Sequence, residues 1–251
     1  MLKLSYRLAL ALMALGTCGV LTPAEAMAQA PRRNEIRIAP LADGDEQSSQ
    51  HKLWVLEVYM KPMRLIPIEL TDPRTGDKKL EFVWYITYRA LPRKTNERVD
   101  PNSPENQFDE PVSPPLFIPE FTLVVTDNDR QEIYPDQVIP EALVAINKRE
   151  KTIYKSSVSV VGPLPEANDP GAGNDHAIQG VAMWRGIDPE ADRYTVYMTG
   201  FSNGIRKTNG PDGETVVQTK TIMSKYKRLG DHFEQKETEI QLDGDPVWIY
   251  R

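Results

Sequence analysis

One segment constrains the fold of this chain more than any other, the run KLEFVWYITYRAL at residues 79–91. Side chains in a β-strand point alternately to the two faces of the sheet, so every second residue shares a face. Apolar side chains occupy both faces of this run, Phe82, Trp84, Ile86 and Tyr88 on one and Val83 and Tyr85 on the other. A strand that is apolar on both faces is typical of the centre of a covered sheet, so we predict a central strand here.

Most of the remaining chain is also patterned as short strands. Runs such as KLWVLEVYM, LFIPEFTLVVT and DRYTVYMTGFS are rich in β-branched and aromatic residues, and turn-forming residues separate them. No repeat of fixed period is present, and strands do not alternate with helices. We predict an all-β protein, an antiparallel β-sandwich that is loosely immunoglobulin-like, with one amphipathic helix. The Cys, Trp, Cys pattern of true immunoglobulin domains is absent.

The helix is predicted at about residues 140–151. Pro140 suits the first helical position, an acidic residue follows it, and basic residues occupy the last turn. Ile139, Leu143 and Ile146 share one face, which indicates a helix lying on the sheet.

The N-terminal residues have the composition of a secretory signal peptide. Lys3 and Arg7 precede an apolar stretch at 8–21, and small residues follow. We predict a signal peptide at 1–28, a flexible leader at 29–51 and a β-sandwich domain at 52–251. The product would be exported, to the periplasm or outside the cell. The apolar stretch is shorter than the ~20 residues that a bilayer core requires, so we predict no membrane span.

Cys18 is the one cysteine of the chain, and it has two interpretations. In a lipoprotein it would become the first mature residue and carry a lipid anchor; Leu15 has the required offset, but Thr17 is a poor residue at its position. Cleavage after Ala26 or Ala28 would instead discard it, and the small-residue rule favours that outcome. The mature protein would then contain no thiol, and disulfides and cysteine-ligated metals would be excluded.

A proline-rich stretch interrupts the strand pattern at 93–115. It has few apolar residues, so it can form neither a regular helix nor a sheet ladder. It is either a linker between two β domains or a long surface loop within one.

Charge and motifs give little support to an enzyme. The formal net charge is −6, which argues against a nucleic-acid partner. The three histidines are isolated from one another, no G-x-S-x-G or H-E-x-x-H motif occurs, and no cofactor is indicated. Short acidic turns at 43–45, 127–132 and 243–245 suit hairpins better than calcium, which needs six or more oxygen ligands. Calcium dependence stays open.

Two groups of residues are candidates for binding. Trp84 and Trp184 lie in strand runs and are a candidate aromatic face, since flat rings stack on sugars or peptides. Aromatic side chains in strands are, however, most often packed in the core. The turn-rich segment after an apolar strand is a candidate binding loop, made of Gly200, Phe201, Asn203, Gly204 and Arg206.

These features favour an exported, non-catalytic structural or interaction module that binds a protein or polysaccharide of the cell envelope. The alternative is a carbohydrate-binding module or carbohydrate-active enzyme that uses the aromatic face. Neither the ligand nor the oligomeric state follows from the sequence.

Overall fold

The computed structural model describes residues 35–50, 52–72, 74–93, 115–127, 130–167, 169, 173, 176–228 and 239–251. The predicted signal peptide, Cys18 and nearly all of the proline-rich stretch lie outside these residues.

The described residues form fifteen strands and two helices. In chain order the strands are β1 (Ile36–Ile38), β2 (Leu56–Met60), β3 (Met63–Thr71), β4 (Lys78–Pro92), β5 (Leu116–Phe117), β6 (Glu120–Asp127), β7 (Arg130–Pro135), β8 (Lys155–Ser156), β9 (Gly162–Pro163), β10 (Ile178–Arg185), β11 (Arg193–Thr199), β12 (Ile205–Asn209), β13 (Thr215–Lys227), β14 (Glu239–Leu242) and β15 (Val247–Tyr250). The helices are α1 (Gly44–Ser49) and α2 (Pro140–Glu150).

The first sheet is built around β4. Strands β2 and β3 lie end to end along one edge of β4, and β10 pairs with the other edge. Strand β1 extends the sheet beyond β2, and β8 pairs with β10 in parallel while the other pairings of this sheet are antiparallel. The central position predicted for residues 79–91 is therefore confirmed.

The second sheet is built in the same way around β13. Strands β11 and β12 lie along one edge of β13, β15 lies along the other, and β6 and β7 continue the sheet beyond β11. Strand β14 pairs with β3 of the first sheet and with β13 of the second. It therefore joins the two sheets by hydrogen bonds.

The main core lies between the sheets. It contains Trp84 and Trp184 from the first sheet and Leu123, Val196 and Ile222 from the second, all nearly inaccessible to solvent. Removal of this apolar surface from water is the main favourable contribution to folding. Because residues on both sides of the proline-rich stretch share this one core, the two sheets form an antiparallel β-sandwich, as predicted. Its resemblance to immunoglobulin domains stays a prediction.

Helix α2 covers one part of the outer face of the first sheet. Ala142 and Ile146 pack with Ile66 of β3 and Val181 of β10 in a second apolar cluster. Pro140 opens the helix, and Lys151 ends it in the left-handed conformation with a φ of 53°. The predicted helix at about 140–151 is confirmed, although the buried face includes Ala142 and leaves Leu143 partly exposed.

Another part of that outer face, on β2 and β4, carries buried charges. The Glu57 carboxylate of β2 accepts hydrogen bonds from Nε of Arg37 and Nε of Arg93, each at 2.6 Å. Arg89 of β4 pairs with Glu35 and lies 4.9 Å from the Tyr59 ring centroid. Buried charges are tolerated when they are paired and hydrogen-bonded, which these arginine and glutamate side chains achieve together.

The segment predicted as a flexible leader contains two elements within its described part, 35–50. Strand β1 pairs with β2 because Ile36 and Ile38 point toward the core. Helix α1 begins at a capping box, in which Asp43 accepts from the Glu46 amide and Glu46 accepts from the Asp43 amide. A second, short helix is thus added to the one predicted from the sequence.

Candidate functional site

The two tryptophans predicted as an aromatic face lie in the main core. Trp84 and Trp184 are direct neighbours across β4 and β10, and their exposed fractions are 1% and 0%. An aromatic platform for a ligand must offer a ring face to solvent, and neither indole does so. The prediction of a binding face at these two residues is therefore corrected: both indoles pack between the sheets. Because β4 is apolar on both faces, the sequence alone could not distinguish a tryptophan exposed to a ligand from one packed in the core.

The candidate loop begins with an aromatic anchor. Phe201 is fully buried, and its ring centroid lies 5.2, 5.3 and 5.8 Å from those of Tyr88, Phe117 and Phe121. Aromatic pairs at such separations stabilise a core beyond the area that they bury. Phe201 thus holds the loop in place and is not available to a ligand.

The middle of the loop binds the segment that precedes β2. Asn203 accepts a hydrogen bond from the Trp54 amide at 2.8 Å and donates one to the Lys52 carbonyl at 2.9 Å. Gln50 contacts the same loop, since its side chain donates to the Asn203 carbonyl at 2.8 Å and accepts from the Ile205 amide at 3.2 Å. These bonds dock α1 and its flanking residues against the start of β12.

An open pocket of about 600 Å³ lies where α1, β12 and β15 meet. It is lined by Asp43, Asp45, Glu46, Ser49, Gln50, Ile205, Arg206, Lys207 and Tyr250. Of the predicted loop residues, only Arg206 lines this pocket, while the Gly204 carbonyl accepts a hydrogen bond from the Lys220 amide at 2.8 Å. The sequence did not predict the α1 or β15 residues as partners of the loop.

An ion pair with a buried lysine holds α1 beside the pocket. Lys220 of β13 is 3% exposed, and its Nζ donates to both Glu46 carboxylate oxygens at 2.7 and 2.5 Å. Tyr250 of β15 donates its hydroxyl to the same carboxylate at 2.5 Å. A buried ammonium requires such an opposite charge, so Glu46 couples α1 to both neighbouring strands.

Glu46 and Tyr250 keep their charge states at neutral pH. Burial alone would raise the pKa of Glu46, but hydrogen bonds from Lys220, Tyr250 and the Asp43 amide outweigh it and lower that pKa. Burial and the neighbouring carboxylate raise the pKa of Tyr250. Glu46 is therefore ionised and Tyr250 protonated near pH 7, so neither is poised to transfer a proton.

The walls of the pocket carry opposite charges. The α1 side presents Asp43 and Asp45, whereas the β12 side presents Arg206 and Lys207. The Arg206 guanidinium lies 4.1 Å from the Tyr250 ring centroid, a cation–π contact that fixes its position. The site can therefore orient a ligand that carries both hydrogen-bonding and charged groups.

We expect Glu46→Gln to release α1 from the sheet. The change leaves Lys220 buried without an opposite charge, a situation that costs about 3 kcal/mol or more in other proteins. Because the folded-state pKa of Glu46 is lowered, its contribution is present above the unfolded pKa and is lost as the pH falls through the folded value. Amide hydrogen exchange of residues 43–50 at pH 7 and pH 3 measures both effects.

The matched control for that prediction is Asp45→Asn. Asp45 lies in the same helix and is exposed, and no ion pair to it is present in the described part of the chain. Its replacement removes the same charge and should leave exchange at 43–50 nearly unchanged. Equal acceleration in both variants would show that Glu46 does not hold the helix.

Metal ligands are not clustered here. No group of three or more His, Cys, Asp or Glu side chains is placed to hold a metal ion within the described ranges. Asp43 uses its carboxylate to cap α1, and Asp243 pairs with Lys227 at 2.9 Å. Asn128 and Asp129 of the acidic turn at 127–132 lie outside the described residues.

Comparisons with known proteins add no family to this picture. Searches of protein-family models, of curated proteins and of solved structures found no match to this chain. Neither α1 nor α2, the helices of the described part, has the length and apolar character needed to cross a bilayer. A functional hypothesis must therefore rest on the pocket and its contacts.

Proposed function

We propose that this protein is an exported, non-catalytic interaction module that binds a protein or polysaccharide of the cell envelope. The pocket between α1 and β12 would be its binding site. The observation that carries the proposal is the set of contacts among Glu46, Lys220 and Tyr250, which joins α1 to β13 and β15 beside two pocket walls of opposite charge. Fixed polar groups around an open pocket are typical of recognition sites.

Binding is favoured over catalysis by the state of the groups in the pocket. Glu46 and Tyr250 have pKa values displaced away from neutrality, whereas a general acid or base works best with a pKa near the working pH. Ser49 donates its hydroxyl to the Glu46 backbone carbonyl at 3.0 Å, and not to a general base. Activation of a nucleophile requires such a base.

Export is supported by the N-terminal composition, with its basic residues, apolar stretch and small-residue cleavage positions. The mature chain would start at Met27 or Gln29. The intact mass of the exported product distinguishes this start from a lipid-modified form that begins at Cys18.

The carbohydrate-binding alternative loses the two indoles on which it depended, since both are buried. A polysaccharide stays in the set of partners because the pocket offers carboxylates, an amide and basic side chains to hydroxyl groups. Tyr250, the aromatic residue among the lining side chains, has its ring covered by Arg206.

The proposal predicts that envelope capture depends on the basic wall of the pocket. A tagged mature chain should recover a reproducible partner from native envelope, and the double variant Arg206→Ala/Lys207→Ala should lose it. The control double variant Lys78→Ala/Lys79→Ala removes two positive charges from a hairpin where these side chains are 63% and 79% exposed. The proposal fails if both variants recover the same partner as the unmodified chain, or if none of the three proteins recovers one.

A further inference from the structure

Beside the pocket, strand β12 has one backbone edge that β13 does not use. Within the described residues β12 pairs with β13 alone. Lys220 N donates to Gly204 O and Gly210 N donates to Glu214 O, each at 2.8 Å, and these two bonds set the alternation of the ladder. In an antiparallel pair every second residue directs its N–H and C=O away from the partner. For β12 these outward groups belong to Ile205, Lys207 and Asn209.

The chain already covers the beginning of this same edge. Leu56 N donates to Phe201 O at 2.9 Å, and Asn203 N donates to Trp54 O at 3.4 Å, so the segment before β2 runs along the loop as a neighbouring strand does. The Gln50 side chain then bonds Asn203 O and Ile205 N with its amide, which substitutes for one more peptide group. The coverage stops there, and the edge continues with Ile205 O and both backbone groups of Lys207.

The charges on β12 indicate which kind of segment can pair with the rest of its free edge. Lys207 is exposed and lies opposite Val217, which is 55% exposed, while the neighbouring Ile205 is 47% exposed. Opposite charges on adjacent strands stabilise a sheet, and like charges directly opposite destabilise it. A second copy of β12 would bring its own Arg206 and Lys207 against this basic strand, so an acidic segment fits better than a second copy. A carboxylate beside Lys207 would lie on the face of β12 opposite to the one that Arg206 and Lys220 share, so the strand separates it from the carboxylates of α1.

We propose that an extended acidic segment of a partner protein adds to the free edge of β12 as a further strand. The segment would bond the Ile205 carbonyl and the outward backbone groups of Lys207 and Asn209, and would place a carboxylate beside Lys207. Apolar side chains two residues away from that carboxylate would cover Ile205 and Val217. This inference rests on the proposed function and specifies the partner for the same site. Addition of a strand is an established mode of peptide recognition in which backbone bonds give affinity and side chains give selectivity.

The test uses a fluorescent peptide of alternating Val and Glu, with a matched peptide of Val and Lys. We expect saturable binding of the Glu peptide and slower exchange of the Lys207 and Asn209 amides in the complex. Lys207→Glu should weaken that binding about tenfold and should favour the Lys peptide. Lys207→Pro should abolish binding, because proline removes an outward N–H that β13 does not use.

A fold control accompanies the edge variant. The Thr208 N–H faces β13, so Thr208→Pro should disrupt the hairpin, whereas Lys207→Pro should keep the amide protection of β13 seen in the unmodified protein. Strand addition is overturned if Lys207→Pro keeps this protection and still binds the Glu peptide, or if the Lys207 amide gains no protection.

The outcomes separate this inference from the proposed function. Envelope capture that depends on Arg206 and Lys207 but is unchanged by Lys207→Pro would support the proposed interaction module and overturn strand addition. A dimer seen by sedimentation that Lys207→Pro dissociates would make a second copy the occupant and would also overturn the acidic partner. Failure of both capture and peptide binding would remove both proposals.

Discussion

Replacement of Glu57 with glutamine is expected to lower the free energy of unfolding by about 3–5 kcal/mol. The Glu57 side chain is 4% exposed and receives Nε of Arg93 and Nε of Arg37, each at 2.6 Å. It also accepts from the Tyr59 hydroxyl at 3.1 Å. Glutamine keeps the shape but removes the charge, so the Arg93 guanidinium, itself 8% exposed, loses the ionised Glu57 carboxylate at a position with little access for water.

The same carboxylate makes stability depend on pH. Burial raises the pKa of Glu57, but hydrogen bonds from Arg93 and Arg37 outweigh that effect and the pKa is lowered from 4.5. For a carboxyl group with a lowered folded-state pKa, the stabilisation is present above the unfolded pKa and is lost as the pH falls through the folded one. Acid should therefore destabilise the unmodified protein more than it destabilises Glu57→Gln.

Urea unfolding at pH 7 and at pH 3 measures both effects. Glu69→Gln is the matched control, because Glu69 pairs with Lys78 at 3.2 Å while both side chains are more than half exposed, at 61% and 63%. An exposed pair contributes about 0–1 kcal/mol, so this variant should change little at either pH. Equal losses in the two variants would contradict the role assigned to Glu57.

Replacement of Gly200 with alanine is expected to destabilise the fold by about 3–5 kcal/mol, from backbone strain and overlap together. Gly200 has a φ of +85°, a conformation that residues with a Cβ rarely adopt. A Cβ at this position would lie 2.0 Å from the carbonyl oxygen of Ile118 and 2.8 Å from its carbonyl carbon. The obstacle is backbone next to β5, so a side-chain rotation cannot relieve it.

Gly244→Ala separates the two contributions. Gly244 has a φ of +86°, and a Cβ there would meet nothing within 4 Å. The free energy of unfolding of Gly244→Ala should therefore fall only by the cost of the left-handed backbone, about 1–2 kcal/mol. Thermal unfolding of both variants gives the overlap at Gly200 by difference, and a difference near zero would show that the loop moves freely away from Ile118.

Local patterns predicted the elements that depend on near neighbours. Helix α2 was predictable because its proline, its basic last turn and its apolar spacing all lie within twelve residues of one another. The central position of β4 followed from its two apolar faces. In each case the residues that decide the structure are adjacent in the chain, so periodicity contains the information.

The candidate site was less predictable because its contacts join distant parts of the chain. Glu46 and Lys220 are 174 residues apart, and Gln50 and Asn203 are 153 apart. Asp43 and Glu46 do form a recognisable capping box, which could have indicated an ordered helix in the predicted leader. No neighbouring residue in the sequence indicates that the Glu46 carboxylate faces a buried lysine. Burial of Trp84 and Trp184 was equally undetermined, since the sequence does not say which apolar face of β4 meets the second sheet.

Strand β14 has a mechanical consequence. Because it hydrogen-bonds to β3 and to β13, the two sheets are attached to each other along one side of the sandwich. The opposite side is attached as well, because Gln137, which follows β7, donates its backbone amide to the Met183 carbonyl of β10 at 2.8 Å. Backbone hydrogen bonds on both sides of the sandwich therefore resist parting of the two sheets and sliding of one sheet over the other.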